Sequence, residues 1–412
     1  MDSEGQQRES PRKWLRDRIG AGVKLGLDSC SEMLKRLGNP QNNFSSIHVA
    51  GTNGKGSLCA NLSSLGSQNG LLVGFFSSPH LITVEERARI DGRPVISEIF
   101  DKHLISVHKA SMMEPQIFPT YFETTFLVSM IIFAEAGIDI AVIETGLGGR
   151  LDATRLVNAK VCAITTISKD HSEILGESLT KIASEKIAIY RQNVPIFSLY
   201  QTNSEVRDIF ESTAGEDLHW FKPTANLGWN ISQEYAIVIA NYLGWSTEEY
   251  EISWPGRSHD TIDWTPGINC IVSAAHNAES IENDLKSIQD EYIMVVGMTS
   301  KPDISEVLKS FTNSSGCLHT IVTEPSEGRK PPIPSYEMVT ELEKYGFIEI
   351  EVIVDSVDAF QRAEAIARKS KSSILVIGSI YLVGELMSHV IKRDNLDLFD
   401  ILTIHPSLKQ TI

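Results

Sequence analysis

The stretch HVAGTNGKGS, His48 to Ser57, has the residue types of a phosphate cradle. Gly51, Gly54 and Gly56 let backbone N–H groups converge on an anion without side-chain obstruction, and Lys55 can reach terminal phosphates. The stretch departs from the GxxxxGK[ST] pattern, because Val49 stands where the first glycine belongs and Gly56 where a hydroxyl should follow the lysine. Ser57 is then the nearest hydroxyl for a magnesium ion or a phosphate. By itself such a stretch serves equally well as a purely structural turn ahead of a helix.

A second constellation adds weight to the phosphate reading. IDIAVIETGLGGRLDAT carries a buried strand that ends in Glu144 and runs straight into a glycine turn. A carboxylate at the C-terminal end of a strand, facing the loop of a neighbouring strand, is where an α/β sheet holds a metal-nucleotide. TTISKDHSEILG repeats the arrangement with Asp170 and His171, although His171 alone reads as an ordinary hydrogen-bonded histidine. LTKIASEKIAIYRQ then supplies a helix bearing Lys186.

The elements that must position these groups are short Val/Ile-rich runs alternating with longer segments of helical period, the signature of parallel sheet with crossover helices. SSIHVA, LLVGFFSS, IDIAVIE, VCAITTIS and VPIFSL are the predicted strands of the first half; NCIVSAA, YIMVVGMT, LHTIVTE, IEIEVIV and SSILVIGS are those of the second. SLCANLSSLGSQNG reads as a helix directly after the glycine loop, and AESIENDLKSIQ, VDAFQRAEAIARKS and YLVGELMSHVIKR read as helices of the second half. WPGRSHDTIDWTPG, with two Pro-Gly pairs and no period, marks a turn-rich connection. The expected organisation is a first domain over 1–253, a linker over 254–267 and a second domain over 268–412.

With 412 residues the chain accommodates two such domains. A net charge of -16 and the lack of a Lys/Arg stripe argue against a nucleic-acid partner, while local basic residues leave anionic small substrates open. No run of eighteen apolar residues is available to span a membrane. Five dispersed cysteines without a CxxC pair suggest reduced thiols, and the N-terminus lacks the features of a secretory or transit signal, so the expected compartment is the cytoplasm.

GLDSCSEMLKRLGNPQ, HVAGTNGKGS, SSPHLITVEERARIDG, IETGLGGRLDAT, ISKDHSEILGESLTKIASEK, WPGR, AAHN and IGSIYLVGE, in this order, resemble the folylpolyglutamate synthase and dihydrofolate synthase family of the Mur-ligase group. The resemblance runs from about residue 24 to residue 387. It implies an α/β architecture with a P-loop NTPase-like N-terminal domain, its sheet mostly parallel, and a smaller Rossmann-like C-terminal glutamate-ligase domain. In this family GTNGKGS is itself the phosphate loop, so its departure from the common pattern is a family trait.

The resemblance further implies that Thr52, Asn53, Gly54, Lys55, Gly56 and Ser57 bind ATP phosphates, and that Ser57, Ser78, Glu144 and His171 surround magnesium. It assigns Lys186 to the lysine that the family commonly carbamylates, Arg257 to a contact with ATP phosphates, His276 to the incoming glutamate, and Asn230 to adenine. The implied reaction joins L-glutamate to dihydropteroate or a folate through an acyl phosphate. The expected partners are these small molecules alone, with no nucleic acid or membrane, and the expected state is a monomer. Without the resemblance, Arg257 would read as a linker arginine in solvent.

Three departures from the family pattern stand out. Ser273 and Ala274 replace the Asp-Gly of the second-domain motif, which puts Ser273 at a ribose-contacting position without a charge. Ile187 follows Lys186 where a small residue is usual; the segment between Leu199 and Trp229 is short, and Trp229 stands where a histidine precedes Asn230. A ligase-like protein that binds nucleotide without catalysis is the alternative that these changes motivate, as is a ligase for another carboxylate acceptor.

Overall fold

The computed structural model describes residues 10–19, 26–225, 228–248, 252–256, 263–300, 304–328 and 330–404. The strands of the first half are β1 (Ser45–Ala50), β2 (Val73–Phe76), β3 (Ala88–Ile90), β4 (Arg93–Pro94), β5 (Ile140–Glu144), β6 (Ala159–Ile164), β7 (Ile196–Leu199) and β8 (Leu218–Phe221). They form one 8-stranded sheet in the order β4-β3-β2-β5-β1-β6-β7-β8, parallel except where β3 runs against β2 and β4. The second half adds β9 (Cys270–Val272), β10 (Tyr292–Val296), β11 (Cys317–Val322), β12 (Ile350–Val352) and β13 (Ser373–Ile377), a fully parallel sheet in the order β12-β11-β10-β13-β9.

All ten expected strands are present, and three more appear. The β3–β4 hairpin turns on Asp91 and Gly92, both at positive φ (49° and 80°), which is the geometry that an Asp-Gly pair favours between antiparallel strands. That dipeptide was the available signal, but strands of three and two residues carry no periodicity of their own. β8 is a short edge strand, LHWF, incompletely buried and therefore without a clear apolar pattern.

Period-two alternation decides which way the central strands face. In β5, Ile140 and Val142 join the cluster beneath helices Lys55–Gln68 and Gly228–Tyr242, while Ala141 and Ile143 join the opposite cluster beneath helices Ser97–Ser111 and Tyr121–Ala136. Glu144 continues the even series, which puts its side chain on the face of helix Lys55–Gln68. The second sheet splits the same way: Ile293 and Val295 pack on one side, Met294 and Val296 on the other.

The two halves are in direct contact. Leu81, from the loop after β2, packs into the core cluster of the second sheet, and the chain's last described segment returns to the first, where Ile404 N–H donates to Gly92 O at 3.1 Å. Among the described residues no helix is long and apolar enough to cross a membrane.

Candidate active site

The site lies where three parallel strands end side by side. β1 sits between β5 and β6, with Val49 paired to Glu144 and Ala50 to Ile164, so the loop after β1 is flanked by the C-terminal ends of both neighbours. This is where open α/β sheets place their ligands. Thr52 N–H donates to Thr166 O at 2.8 Å, Thr52 Oγ1 donates to Ser168 O and accepts from Ser168 N–H, both at 3.1 Å, and Asn53 N–H donates to Thr166 Oγ1 at 3.0 Å. Thr52 therefore shapes the loop by tying it to the segment after β6.

Helix Lys55–Gln68 begins directly at Lys55, with Gly54 as N-cap at φ 80° and no side-chain cap. An uncapped first turn directs the N–H groups of Lys55, Gly56 and Ser57 to an external acceptor, and the helix dipole favours an anion there. Lys55 curls over the loop, its Nζ donating to Thr52 O at 3.1 Å. Gly56 is required for a steric reason: a Cβ there would lie 2.8 Å from the Trp254 ring and 3.6 Å from Glu144 Oε1.

Glu144 is buried, at 4% exposure, and Oε2 accepts a 3.0 Å hydrogen bond from Ser78 N–H. Its carboxylate thus lies between the SSPHL loop and the first turn of helix Lys55–Gln68. Among the described residues no group of three or more His, Cys, Asp or Glu side chains is placed to hold a metal. Magnesium fits such a place nonetheless, because it commonly takes one or two carboxylates and completes its shell with hydroxyls, water and phosphate oxygens. His171 adopts φ 52°, is half exposed, and holds its ring 3.8 Å from Asp170 and 3.9 Å from Glu173.

Lys186 is the most unusual group of the site. It is buried, and its Nζ donates to Gly51 O at 2.6 Å, in the glycine loop itself. Burial and then the neighbouring Lys55 charge push its pKa down to about 7, against the pull of Asp170 and Asp152. The glycine turn after Glu144 makes this approach possible. A Cβ on Gly149 would lie 2.8 Å from Glu185 O and 3.1 Å from Lys186 O, so only glycine lets the turn press against the Lys186 helix. Beneath the turn, Arg191 lies 3.2 Å from His48 Nδ1, His48 Nε2 lies 2.9 Å from Thr154 Oγ1, and Thr154 donates to Asp152, which also receives Leu147 N–H at 2.8 Å. Arg191 can only donate, so the His48 proton sits on Nε2 and the chain runs toward Asp152. Burial with Arg191 lowers the His48 pKa, which keeps the ring neutral; burial raises that of Asp152 against its hydrogen bonds.

The second half contributes the segment after β9. His276 Nδ1 lies 3.0 Å from Ala274 O, which places the proton on Nδ1 and leaves the lone pair of the neutral ring on Nε2. Ser273 donates to Asp284 and accepts from Ala275 N–H at 3.0 Å, so its hydroxyl is engaged within its own unit. Asn230 is exposed on the first turn of helix Gly228–Tyr242; it is Ser232, two residues on, whose Oγ would come within 3.6 Å of a Cβ on Gly54. Arg257 lies outside the described residues. Sequence reasoning missed Trp254, Asp152 and Ser232. The first stood in WPGR beside the arginine that drew attention, the second in LDAT directly after the glycine turn, and the third had no signal at all.

No family model matches the chain. Along its length the chain is 26% identical over 433 residues to the probable dihydrofolate synthetase of Schizosaccharomyces pombe, spanning 89% of this chain and 99% of that protein. Escherichia coli FolC, solved in complex with DHPP and ADP, superposes with a TM-score of 0.80 at 25% identity, covering 95% of this chain and all of that one. Over most of its length the chain is similar to proteins named dihydrofolate synthase/folylpolyglutamate synthase. The bifunctional folylpolyglutamate synthase/dihydrofolate synthase of Yersinia pestis, complexed with AMPPNP and Mn ion, matches with a TM-score of 0.77 at 25% identity over 94% of this chain and all of that one. These solved structures share the α/β fold with mostly parallel sheets described here.

Proposed function

We propose that this protein is an ATP- and magnesium-dependent ligase that joins L-glutamate to dihydropteroate, to a folate, or to both in turn. One observation carries the reading: the buried Glu144 carboxylate accepts from Ser78 N–H and lies beside the uncapped first turn of helix Lys55–Gln68, in a chain that superposes on FolC over 95% of its length. A pterin carboxylate attacks the γ-phosphorus, the bond to the bridging oxygen breaks, and ADP leaves behind an acyl phosphate. The neutral amine of glutamate then adds to the acyl carbon, and phosphate departs from the tetrahedral intermediate. Lys55 and the loop N–H groups stabilise charge on the transferring group. Bound magnesium supplies further neutralisation, with Glu144 and the Ser57 and Ser78 hydroxyls as the groups to hold it, and His171 through water.

Carbamylation of Lys186 belongs to this reading. Only a neutral amine adds to carbon dioxide, and a lysine whose pKa is brought down to about 7 supplies one at neutral pH. The domain limits 1–253 and 268–412, joined by 254–267, are supported by the separation of the two sheets. A monomer is supported by the presence of both halves of the cleft in one chain, and a cytoplasmic setting by the five free cysteines.

The test is phosphate release from ATP with L-glutamate and either dihydropteroate or tetrahydrofolate, with product length read by mass spectrometry. Release that requires both glutamate and a pterin supports the ligase. No release with any pterin, at ample magnesium and bicarbonate, favours a nucleotide-binding protein without catalysis, a reading that the engagement of Ser273 with Asp284 motivates.

A further inference from the structure

Asn53 stands in the middle of the phosphate loop, yet its side chain is turned to the other half of the molecule. Its Nδ2 donates to Glu279 Oε2 at 2.6 Å and lies 3.4 Å from Asn277 Oδ1, while its Oδ1 accepts from Asn277 Nδ2 at 2.8 Å. The backbone N–H is committed to Thr166 Oγ1. One carboxamide offers two donor hydrogens and an acceptor oxygen, and the second half of the chain engages both ends. Asn277 is the N-cap of helix Ala278–Ser287 and Glu279 lies in its first turn, so both partners are held on a rigid element.

We propose that Asn53, Asn277 and Glu279 form an interdomain clasp that sets the shape of the phosphate loop, with Asn53 acting as a positioning residue and not as a phosphate ligand. The bond to Glu279 is charge-assisted and short, and it bridges residues 226 apart in sequence, so it exists only when the two halves are closed. Closure and loop geometry are thereby one equilibrium: a ligand that needs the formed loop stabilises the closed molecule, and loss of the clasp weakens that ligand. The carboxamide also gives the Glu279 carboxylate a donor. The proposal rests on the nucleotide reading only in taking this loop as the seat of the phosphates.

The full chain is to be studied by small-angle scattering, without nucleotide and with a non-hydrolysable ATP analogue plus magnesium, as wild type, Glu279→Ala, Glu279→Gln, Asn53→Ala and the double variant Asn53→Ala/Glu279→Ala. Both single alanine variants are expected to enlarge the radius of gyration of the free protein, and the double variant to enlarge it no further than the larger single effect, as coupled partners do. Glu279→Ala should weaken the analogue by about three- to tenfold, and Glu279→Gln, which keeps an acceptor, should recover most of both losses. Wild-type scattering in the single variants, additive effects in the double, or a glutamine no better than alanine would each overturn the clasp. A side chain that merely supports helix Ala278–Ser287 would shift the melting temperature while scattering and analogue affinity stay as in wild type, which is again a negative result. Neither readout uses a pterin or glutamate. An intact clasp in a chain that releases no phosphate sinks the ligase reading alone, and an active ligase indifferent to Glu279 sinks the clasp alone.

Discussion

The Lys186 amine donates to the Gly51 carbonyl oxygen at 2.6 Å, across 135 residues of sequence. A buried amine is thereby attached to the backbone of the loop that Lys55 also overhangs, and burial together with the Lys55 charge lowers the pKa of Lys186.

The first prediction follows from that burial. The unfolded amine keeps its proton to about pH 10.4, whereas the folded one loses it near pH 7. Between these values the unfolded chain binds more protons, so this group makes stability rise with pH from about 7 to 10 and contributes no slope below that window. Lys186→Met should remove that part of the rise. Denaturant midpoints measured for both proteins across the window will check it; parallel profiles would refute it.

Lys55→Ala should abolish phosphoryl transfer, with a fall in kcat of about a thousandfold or more, the scale seen when a preorganised charge partner is removed. No other loop residue from Gly51 to Ser57 carries a positive charge. The melting temperature should hardly move, because the half-buried lysine makes its hydrogen bond within its own loop. Phosphate release and calorimetry on the same preparation separate the two effects, and near-normal turnover would remove the phosphate-loop assignment.

Gly56→Ala should raise the KM for ATP by about tenfold, equivalent to roughly 1.4 kcal/mol. The added methyl would meet the Trp254 ring at 2.8 Å, and that ring is hemmed in by Phe75, whose centroid is 5.9 Å away. Adding Trp254→Phe to Gly56→Ala should restore much of the loss by making room. Steady-state kinetics on the three proteins decide it; an unrescued double variant would mean that the methyl acts elsewhere.

Gly384→Ala tests the contact between the halves. A Cβ there would lie 2.0 Å from Leu81 O, a backbone atom that cannot rotate aside, and Leu81 is already pressed against the place of a Cβ on Gly256 at 2.8 Å. The expected cost is about 1–3 kcal/mol, seen as earlier unfolding of one half in calorimetry. A single transition at the wild-type temperature would show that the interface adapts.

Much of this molecule was readable before any coordinates. The ten longer strands, the helix after the glycine loop and the strand-end position of Glu144 all follow from short apolar runs bounded by glycine turns, because a parallel strand buried on both faces leaves a continuous Val/Ile signature. Even the direction of Glu144 is legible, since it continues the alternation of Ile140 and Val142. The β3–β4 hairpin and β8 were not readable in this way, being too short for a period to form.

What the residue order determined by itself was the local chemistry: which segments become strands, where the helix after the glycine loop starts, and which acid ends β5. What only the tertiary structure decided were the pairings between distant segments, namely Lys186 with Gly51, Asn53 with Glu279, Trp254 over Gly56 and Leu81 against Gly384. Local propensity depends on neighbours a few residues away, whereas these contacts depend on how two sheets and their covering helices come to rest against each other, which no periodicity along the chain encodes.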